Sequence, residues 1–413
     1  MVSLFKLKLL FLLFNFLYLS QANNYIRKEL PVKDALSFEI QIEPGCWYVF
    51  VDTINEYFIL YQPNDSDDDD YKWPDRLIKQ TPSLVEKGQT TLINYNKPIQ
   101  TKIYTLTLGF ENTPFELHNF TTYYTNDHCQ DDKVWQTVDK NIRQLSLGVG
   151  LNVQNPSHSL IYELHRNNII TERKFLYEIG ERKYITLGSD DARKQNYVNK
   201  FISEIPIEEH NWGLKINRII INNKKYDFEK FASINSGLDI MFRSFEVYQV
   251  FKSYLQENKK YKDICKETIY LSSVTMECGI ALDEINEMIR LNVANEIAFD
   301  VPLHNFFVSM NSKKSWMKYV YYDMRNDNKN DNSIQVGKLF LEMFNLVEFD
   351  YDKRTIEFYS QILEFKNEPL GLFKSSNKKK LNMACNILVI ILSVITIGYI
   401  CITKKYLKSL VQQ

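Results

Sequence analysis

The chain has 413 residues, with 50 Lys and Arg against 51 Asp and Glu, so its formal net charge is −1. This balance lacks the basic field typical of nucleic-acid binders, and no nucleic-acid partner is predicted. The length exceeds that of one ordinary hydrophobic core and predicts two domains or lobes. Aromatic residues make up 14% of the chain, which favours large cores and many strands.

The first 22 residues have the three parts of a secretory signal peptide. Lys6 and Lys8 precede an apolar run from Leu9 to Leu19, and the small residues Ser20 and Ala22 match a cleavage site. An uncleaved anchor helix is the alternative interpretation. Either way, the body of the protein is predicted to mature in the oxidising secretory pathway, where disulfides persist.

Between residues 30 and 365 the pattern is mainly β. Short aromatic and β-branched runs alternate with turn signals. These runs are Tyr48–Val51, Tyr57–Tyr61, Ile216–Ile221 and Thr355–Tyr359. Few helices are predicted, and the best candidates are 159–167 and 244–257.

Several polar features of this body bear on ligands and modification. Residues 64–70 contain five aspartates. We interpret them as a solvated loop rather than a calcium site, because the glycine and distal glutamate of an ion-binding loop are missing. Asn64-Asp65-Ser66 and Asn119-Phe120-Thr121 are N-glycosylation sequons. The six histidines have no metal-ligand spacing, so neither a metal nor a cofactor is predicted.

Residues 366–381 are predicted to form a juxtamembrane stalk, 382–403 a transmembrane helix and 404–413 a cytoplasmic tail. About 20 uncharged residues suffice to cross a hydrocarbon core of ~30 Å. Lys404 and Lys405 follow the apolar run, which argues against a removable lipid-anchor signal. With the signal peptide, these features predict a single-pass type I membrane protein at the cell surface or in an endolysosomal membrane.

One pattern occurs twice in the chain. Asp52-Thr53 comes at the end of an apolar strand, and Leu145-Ser146-Leu147-Gly148 follows far downstream. In the second half, Asn235-Ser236-Gly237 comes at the end of an apolar strand, and Ile334-Gln335-Val336-Gly337 follows at a similar distance. Two such copies predict two homologous lobes.

In order and spacing, these motifs resemble the pepsin-like aspartic peptidases. Further passages match that family's later motifs: Leu145–Gly150, Ser157–Leu164, Tyr184–Asp191, Trp212–Ile221, Phe299–Pro302 and Val336–Phe358. The resemblance implies an all-β, bilobal pepsin-like fold with an N-terminal lobe over 30–190 and a C-terminal lobe over 191–365. It also implies a disulfide between Cys265 and Cys278. Pairing of Cys46 with Cys129 is left open.

In this family, each lobe contributes one catalytic aspartate. The pair shares a proton, activates a water and protonates the leaving group. The resemblance places the first aspartate at Asp52, followed by Thr53, whose hydroxyl it implies braces the opposite turn. It places the second at Asn235, followed by Ser236 and Gly237, which it implies support their own turn. Asparagine can neither gain nor lose a proton near neutral pH, so the centre is expected to be impaired.

Two other positions depart from the family pattern. Ile54 replaces a turn glycine, and a β-branched residue there is expected to distort the turn. The flap-like segment keeps Tyr95 but lacks the family's glycines. Three alternative interpretations are open: Tyr95 is a plain packing aromatic, Asp52 is an ordinary strand-end residue, and Asp239 is a replacement carboxylate.

Two functions follow from the resemblance. The first is a membrane-anchored pseudopeptidase that binds a peptide or protein partner in the cleft. The second is an active aspartic-type endopeptidase working at acidic pH. An unrelated β-rich ectodomain is the remaining alternative, and the sequence leaves the oligomeric state open.

Overall fold

β-strands dominate the part of the chain that the structure describes, which confirms the predicted all-β class. The structure is a computed structural model. It describes residues 25–29, 37–42, 45–53, 57–61, 85–94, 97–110, 115–125, 145–151, 158–180, 182–270, 273–294, 297–323 and 333–367.

Several predicted features lie outside these residues: the signal peptide, Ile54, Asn64, Tyr95, Cys129, residues 368–381 of the stalk, the span 382–403 and the tail 404–413. The side chains of Cys46 and Asp52 are likewise not described. Among the helices that are described, none is long and apolar enough to cross a membrane.

The first half of the described chain contributes eleven strands and two short helices. The strands are β1 (Ile26–Glu29), β2 (Ser37–Ile42), β3 (Gly45–Asp52), β4 (Phe58–Tyr61), β5 (Val85–Asn94), β6 (Lys97–Gly109), β7 (Glu116–Thr125), β8 (Leu145–Gly148), β9 (Lys174–Glu178), β10 (Tyr184–Leu187) and β11 (Asn199–Glu204). The helices are α1 (Leu160–Arg166) and α2 (Asp191–Lys194).

The second half contributes fourteen described strands, two α-helices and two 3₁₀ helices, Leu282–Glu284 and Leu303–Phe306. The strands are β12 (Gly213–Ile221), β13 (Lys224–Asn235), β14 (Phe242–Arg243), β15 (Cys265–Tyr270), β16 (Ser273–Cys278), β17 (Met288–Val293), β18 (Ile297–Pro302), β19 (Val308–Asn311), β20 (Lys314–Trp316), β21 (Val320–Asp323), β22 (Ile334–Gly337), β23 (Leu346–Asp350), β24 (Thr355–Ser360) and β25 (Lys366–Asn367). The helices are α3 (Phe245–Glu257) and α4 (Lys338–Leu341).

The predicted helices over 159–167 and 244–257 correspond to α1 and α3 and are confirmed. Ser244 caps α3, since its hydroxyl accepts a hydrogen bond from the Val247 N–H at 3.4 Å. β25 pairs with β18, so the sheet extends two residues into the predicted stalk. All described residues precede residue 368 and belong to one compact unit. The division into lobes at residues 190 and 191 stays a prediction.

The strands form three sheets. A seven-stranded sheet has the order β2-β3-β8-β4-β7-β6-β5, and a twelve-stranded sheet is built from strands of the second half. A six-stranded sheet has the order β1-β10-β9-β23-β24-β11 and so takes strands from both halves of the chain.

The internal repeat predicted from the sequence is present in the strand pairing. In the first copy, β3 is parallel to β8, β8 is antiparallel to β4, and β4 is parallel to β7. In the second copy, β13, β22, β14 and β21 make the same three pairings in the same order. The registers also agree, because Asp52 lies opposite Gly148 and Asn235 lies opposite Gly337.

Aromatic side chains on one face of the six-stranded sheet hold this sheet to the segment beyond β8. Phe175 stacks on Phe349 with ring centroids 4.2 Å apart, and the fully buried Trp212 packs edge-on against Phe349. The Val149 carbonyl accepts hydrogen bonds from the Trp212 indole N–H at 2.7 Å and the Tyr351 hydroxyl at 2.8 Å. Strands far apart in sequence therefore fix the backbone directly after Gly148.

The opposite face of this sheet buries charges. Glu348 and Asp350 are each 1% exposed. The Lys194 Nζ lies 2.7 Å from a Glu348 carboxylate oxygen, and the Lys174 Nζ lies 3.3 Å from Asp350 and 3.7 Å from Glu348. Burial of a carboxylate is unfavourable unless it is paired, and these two lysines supply the pairing.

This cluster gives a pH prediction. Burial raises the pKa of the Glu348 carboxyl above its ordinary value, and Lys194 and Lys174 oppose the rise. The folded state then holds this proton at a higher pH than the unfolded state, so the group favours folding as the pH falls and opposes it above the raised pKa. We expect the unmodified chain to gain stability relative to Glu348→Gln in urea unfolding when the pH falls from 7 toward 4.5, the ordinary pKa of a glutamate carboxyl. A relative gain by the variant would contradict this.

Candidate functional site

The two copies of the repeat meet at a pair of hydroxyl side chains, Thr53 and Ser236. The Thr53 N–H donates to the Ser236 Oγ at 3.1 Å, and the Ser236 N–H donates to the Thr53 Oγ1 at 3.0 Å. In turn, the Thr53 hydroxyl donates to the Ile234 carbonyl at 2.8 Å, and the Ser236 hydroxyl donates to the Val51 carbonyl at 2.7 Å. Each hydroxyl thus bonds the carbonyl two residues before the other.

This reciprocal arrangement explains why hydroxyl residues stand at both positions. Both side chains are buried, and a hydroxyl can donate and accept at once, which an aliphatic side chain cannot do. Four hydrogen bonds without access to water satisfy backbone groups that would otherwise be left unpaired. We refer to Thr53, Ser236 and their four bonds as the hydroxyl bracket.

The bracket fixes the residues that precede it. Asp52 and Asn235 end β3 and β13, and their partners Gly148 and Gly337 occupy the same register in the two repeats. The structure therefore brings together the backbones of the two positions predicted to be catalytic. The buried Asn235 side chain accepts a hydrogen bond at Oδ1 from the Gly237 N–H at 3.0 Å. Its other polar atom, Nδ2, can only donate.

Gly337 lies where two backbone segments approach closely. A Cβ added there would lie 2.4 Å from the Leu238 carbonyl oxygen and 2.5 Å from the Ile240 carbonyl oxygen. The next residue, Lys338, donates its N–H to the Leu238 carbonyl at 2.7 Å. The absence of a side chain at Gly337 thus lets the turn after Asn235 pack directly onto the end of β22.

Lys338 was not singled out by the sequence, yet it is buried beside this turn. Its side chain is 5% exposed, and its Nζ lies 3.3 Å from the Asp239 Oδ1. Asp239 therefore serves as the counter-ion of a buried lysine, as expected where a buried charge needs a partner. The available sequence signal was a single lysine inside the apolar run from Val336 to Leu341.

A second group that the sequence missed lies beside the first turn. Tyr123 is buried and shares a hydrogen bond with the His158 Nδ1, and the Tyr57 ring packs edge-on against Tyr123 with centroids 5.2 Å apart. The Tyr57 carbonyl accepts from the Gly148 N–H at 2.9 Å, which ties the group to the Asp52 register. Burial lowers the pKa of His158, and Glu163 opposes this, so the imidazole is neutral at pH 7.

Apolar residues of β5 and β6 pack against this Tyr123 group. Leu92 and Ile99 face each other across β5 and β6, two pairs before the tip. They pack against Ile59 and Tyr123 in one apolar cluster. Tyr95 itself lies outside the described residues, so its predicted role at the flap stays a prediction.

The predicted disulfide between Cys265 and Cys278 is confirmed. The two residues are directly opposed in the β15–β16 pair, with an S–S distance of 2.01 Å. Asn119 is exposed at an irregularity of β7, with φ at 57°, so the side chain of this sequon is open to solvent. Among the described residues, no group of His, Cys, Asp and Glu could hold a metal ion.

The hydroxyl bracket gives a stability prediction. Thr53→Val keeps the shape of the side chain but removes the acceptor for the Ser236 N–H and the donor for the Ile234 carbonyl. Since an unsatisfied buried polar group costs about 1–3 kcal/mol, we expect the free energy of unfolding to fall by about 2–4 kcal/mol.

Thr53→Ser is the matched control for this variant. It keeps all four bonds and loses one methyl group, so a decrease of about 1 kcal/mol is expected. Urea unfolding of the three proteins makes the comparison. Equal stability of the Val and Ser variants would show that the bracket contributes nothing beyond packing.

No protein-family model and no curated protein sequence matches the chain.

Proposed function

We propose that the chain is a membrane-anchored protein of the pepsin-like aspartic peptidase type with an impaired catalytic centre. In this proposal, lobes over 30–190 and 191–365 enclose a cleft that binds a peptide or protein partner. The main support is the hydroxyl bracket, which joins two strand ends of equivalent topology and register. Its four hydrogen bonds hold the two turns against each other.

The impaired chemistry follows from the residues that the bracket presents. A proton-sharing pair needs two groups that each bind and release a proton. Asn235 stands at one of the two positions and has no titratable proton near neutral pH. Its Oδ1 already accepts from Gly237, so a donating amide remains where the peptidase needs a carboxyl group. Such a donor can bind a peptide carbonyl without activating water.

A second function, an active endopeptidase at acidic pH, is favoured by one observation. Thr53 forms its two bonds with Ser236 and its bond with Ile234 even though Ile54 follows it in the sequence. The strand end that carries Asp52 is therefore held in place. Asp52 with an unidentified proton donor could then support hydrolysis.

We also propose that the signal peptide and the span 382–403 place the chain in the secretory pathway as a type I membrane protein. The cell surface and the endolysosomal membrane are the two proposed locations. The confirmed disulfide between Cys265 and Cys278 supports maturation in an oxidising compartment.

Two assays on the purified full-length chain in detergent test the function. The first measures cleavage of a peptide library at acidic pH, with and without a peptide that mimics the transition state. The second measures retention of uncleaved peptides from the same library. Retention without cleavage is the expected result. Cleavage that the inhibitor blocks would establish the peptidase. A chain that neither retains nor cleaves the peptides would contradict both proposed functions.

A further inference from the structure

Strand β11 lies at one edge of the six-stranded sheet. Within the described residues it pairs with β24 alone, in an antiparallel ladder. The Ile205 N–H donates to the Arg354 carbonyl at 2.9 Å in the same register. Bonded pairs in an antiparallel ladder recur at every second residue. The peptide groups of the odd-numbered residues therefore face β24, and those of Lys200, Ile202 and Glu204 point away from it.

The side chains of these three residues are exposed, whereas the two between them, Phe201 and Ser203, are buried. The three exposed residues are basic, apolar and acidic in chain order, so Ile202 lies between the two charges. A second copy of the strand, laid antiparallel with Ile202 opposite the partner's Ile202, places Lys200 opposite the partner's Glu204. The same operation places Glu204 opposite the partner's Lys200, so the edge complements itself in charge.

The backbone agrees with this register. All three pairs join residues whose N–H and C=O groups point outward, so each pair can exchange both hydrogen bonds of an antiparallel ladder. Two apolar residues also flank the strand at the surface: Val198 is 92% exposed and Ile207 is 85% exposed. An isologous contact of this kind has two-fold symmetry, the commonest symmetry of homo-oligomers.

We propose that the chain forms a homodimer through antiparallel pairing of β11 with the partner's β11, centred on Ile202. Charged residues usually protect an edge strand from pairing, since they meet unlike surroundings on a foreign strand. Within the chain, the Lys200 Nζ lies 3.8 Å from Glu357 on β24. Across the open edge, a second copy gives both Lys200 and Glu204 an opposite charge in one register, so the same residues disfavour other strands and favour this one. A contact of a single strand buries a small area, so the dimer is a weak, reversible one.

Crosslinking of Ile202→Cys in the full-length chain tests the two-fold centre. Directly opposed residues in a bonded pair have Cα atoms about 5.5 Å apart, which suits a disulfide. Mild oxidation should therefore give a covalent dimer.

The matched control is Ile269→Cys, an exposed isoleucine on the edge strand β15 of another sheet. Ile269 is more exposed than Ile202, at 60% against 38%, so random collision would favour the control. The remaining cysteines are common to both variants.

Charge exchange tests the register. Lys200→Glu or Glu204→Lys, each added to Ile202→Cys, puts like charges opposite each other and should slow dimer formation about tenfold. A mixture of the two variants restores both opposite-charge pairs across a heterodimer and should recover the original rate. If Lys200→Glu unfolds the chain because of its neighbour Glu357, Glu204→Lys alone decides the result.

Retention of the Cys265–Cys278 disulfide and an unchanged melting temperature verify folding of each variant. Crosslinking of Ile202→Cys no faster than that of Ile269→Cys would overturn the proposal. So would charge variants that crosslink at the unaltered rate.

Discussion

Restoring the second carboxylate by Asn235→Asp should by itself raise acid-pH peptidase activity only slightly, whereas Asn235→Asp with Ile54→Gly should raise it about 10²-fold or more. The first change supplies a group that can share a proton. A carboxylate oxygen can accept from the Gly237 N–H as the Asn235 Oδ1 does, so the turn is preserved. The second change removes the β-branched side chain from the position after Thr53, where glycine allows close backbone approach.

The measurement is hydrolysis of a peptide library by the four proteins: unmodified, each single variant and the double variant. Adding Asp52→Asn to the double variant is the control, and it should return activity to background because one carboxylate is again missing. Acid-pH cleavage by the unmodified chain that Asp52→Asn abolishes would contradict the proposed pseudopeptidase. The chain would then be an enzyme that pairs Asp52 with another proton donor.

The parts of the fold that the sequence predicted are those with short-range signals. The helix predicted over 244–257 corresponds to α3, and the Ser244 hydroxyl caps it. The duplicated strand–turn pattern around Asp52 and Asn235 was noted in the sequence, and the structure pairs these strand ends with Gly148 and Gly337 in the same register. A glycine at the end of an apolar strand is informative because close backbone approach tolerates no side chain.

Local sequence patterns do not reveal contacts between distant segments. Thr53 and Ser236 are 183 positions apart. Only the family resemblance, which implied that the Thr53 hydroxyl braces the opposite turn, pointed to a contact there. Similarly, Tyr123 meets His158 across 35 positions, and no histidine spacing indicated that pair. The sequence did not indicate a partner for Lys338, whose Nζ lies 3.3 Å from the Asp239 Oδ1 because of the turn after Asn235.

Gly337→Ala should lower the free energy of unfolding by about 3 kcal/mol, the upper end for overpacking a buried site. The new Cβ would lie 2.4 and 2.5 Å from the carbonyl oxygens of Leu238 and Ile240. Backbone atoms cannot rotate away as the end of a flexible side chain can. The turn is also held from both ends, because the Leu238 N–H donates to the Asn235 carbonyl at 3.1 Å and the Leu238 carbonyl accepts from Lys338 at 2.7 Å.

Gly279→Ala is the matched control, since a Cβ at that exposed glycine would meet its nearest neighbour, the Ile264 carbonyl oxygen, at 3.7 Å. Surface substitutions of this kind stay within about 0.5 kcal/mol, so urea unfolding should separate the two variants clearly. The turn that the new Cβ would displace begins at Asn235. Gly337→Ala should therefore also reduce peptide retention, whereas Gly279→Ala should leave it unchanged. If Gly337→Ala were as stable as the control, the turn after Asn235 would not pack against β22 as closely as the structure places it, and the register between Asn235 and Gly337 would be wrong.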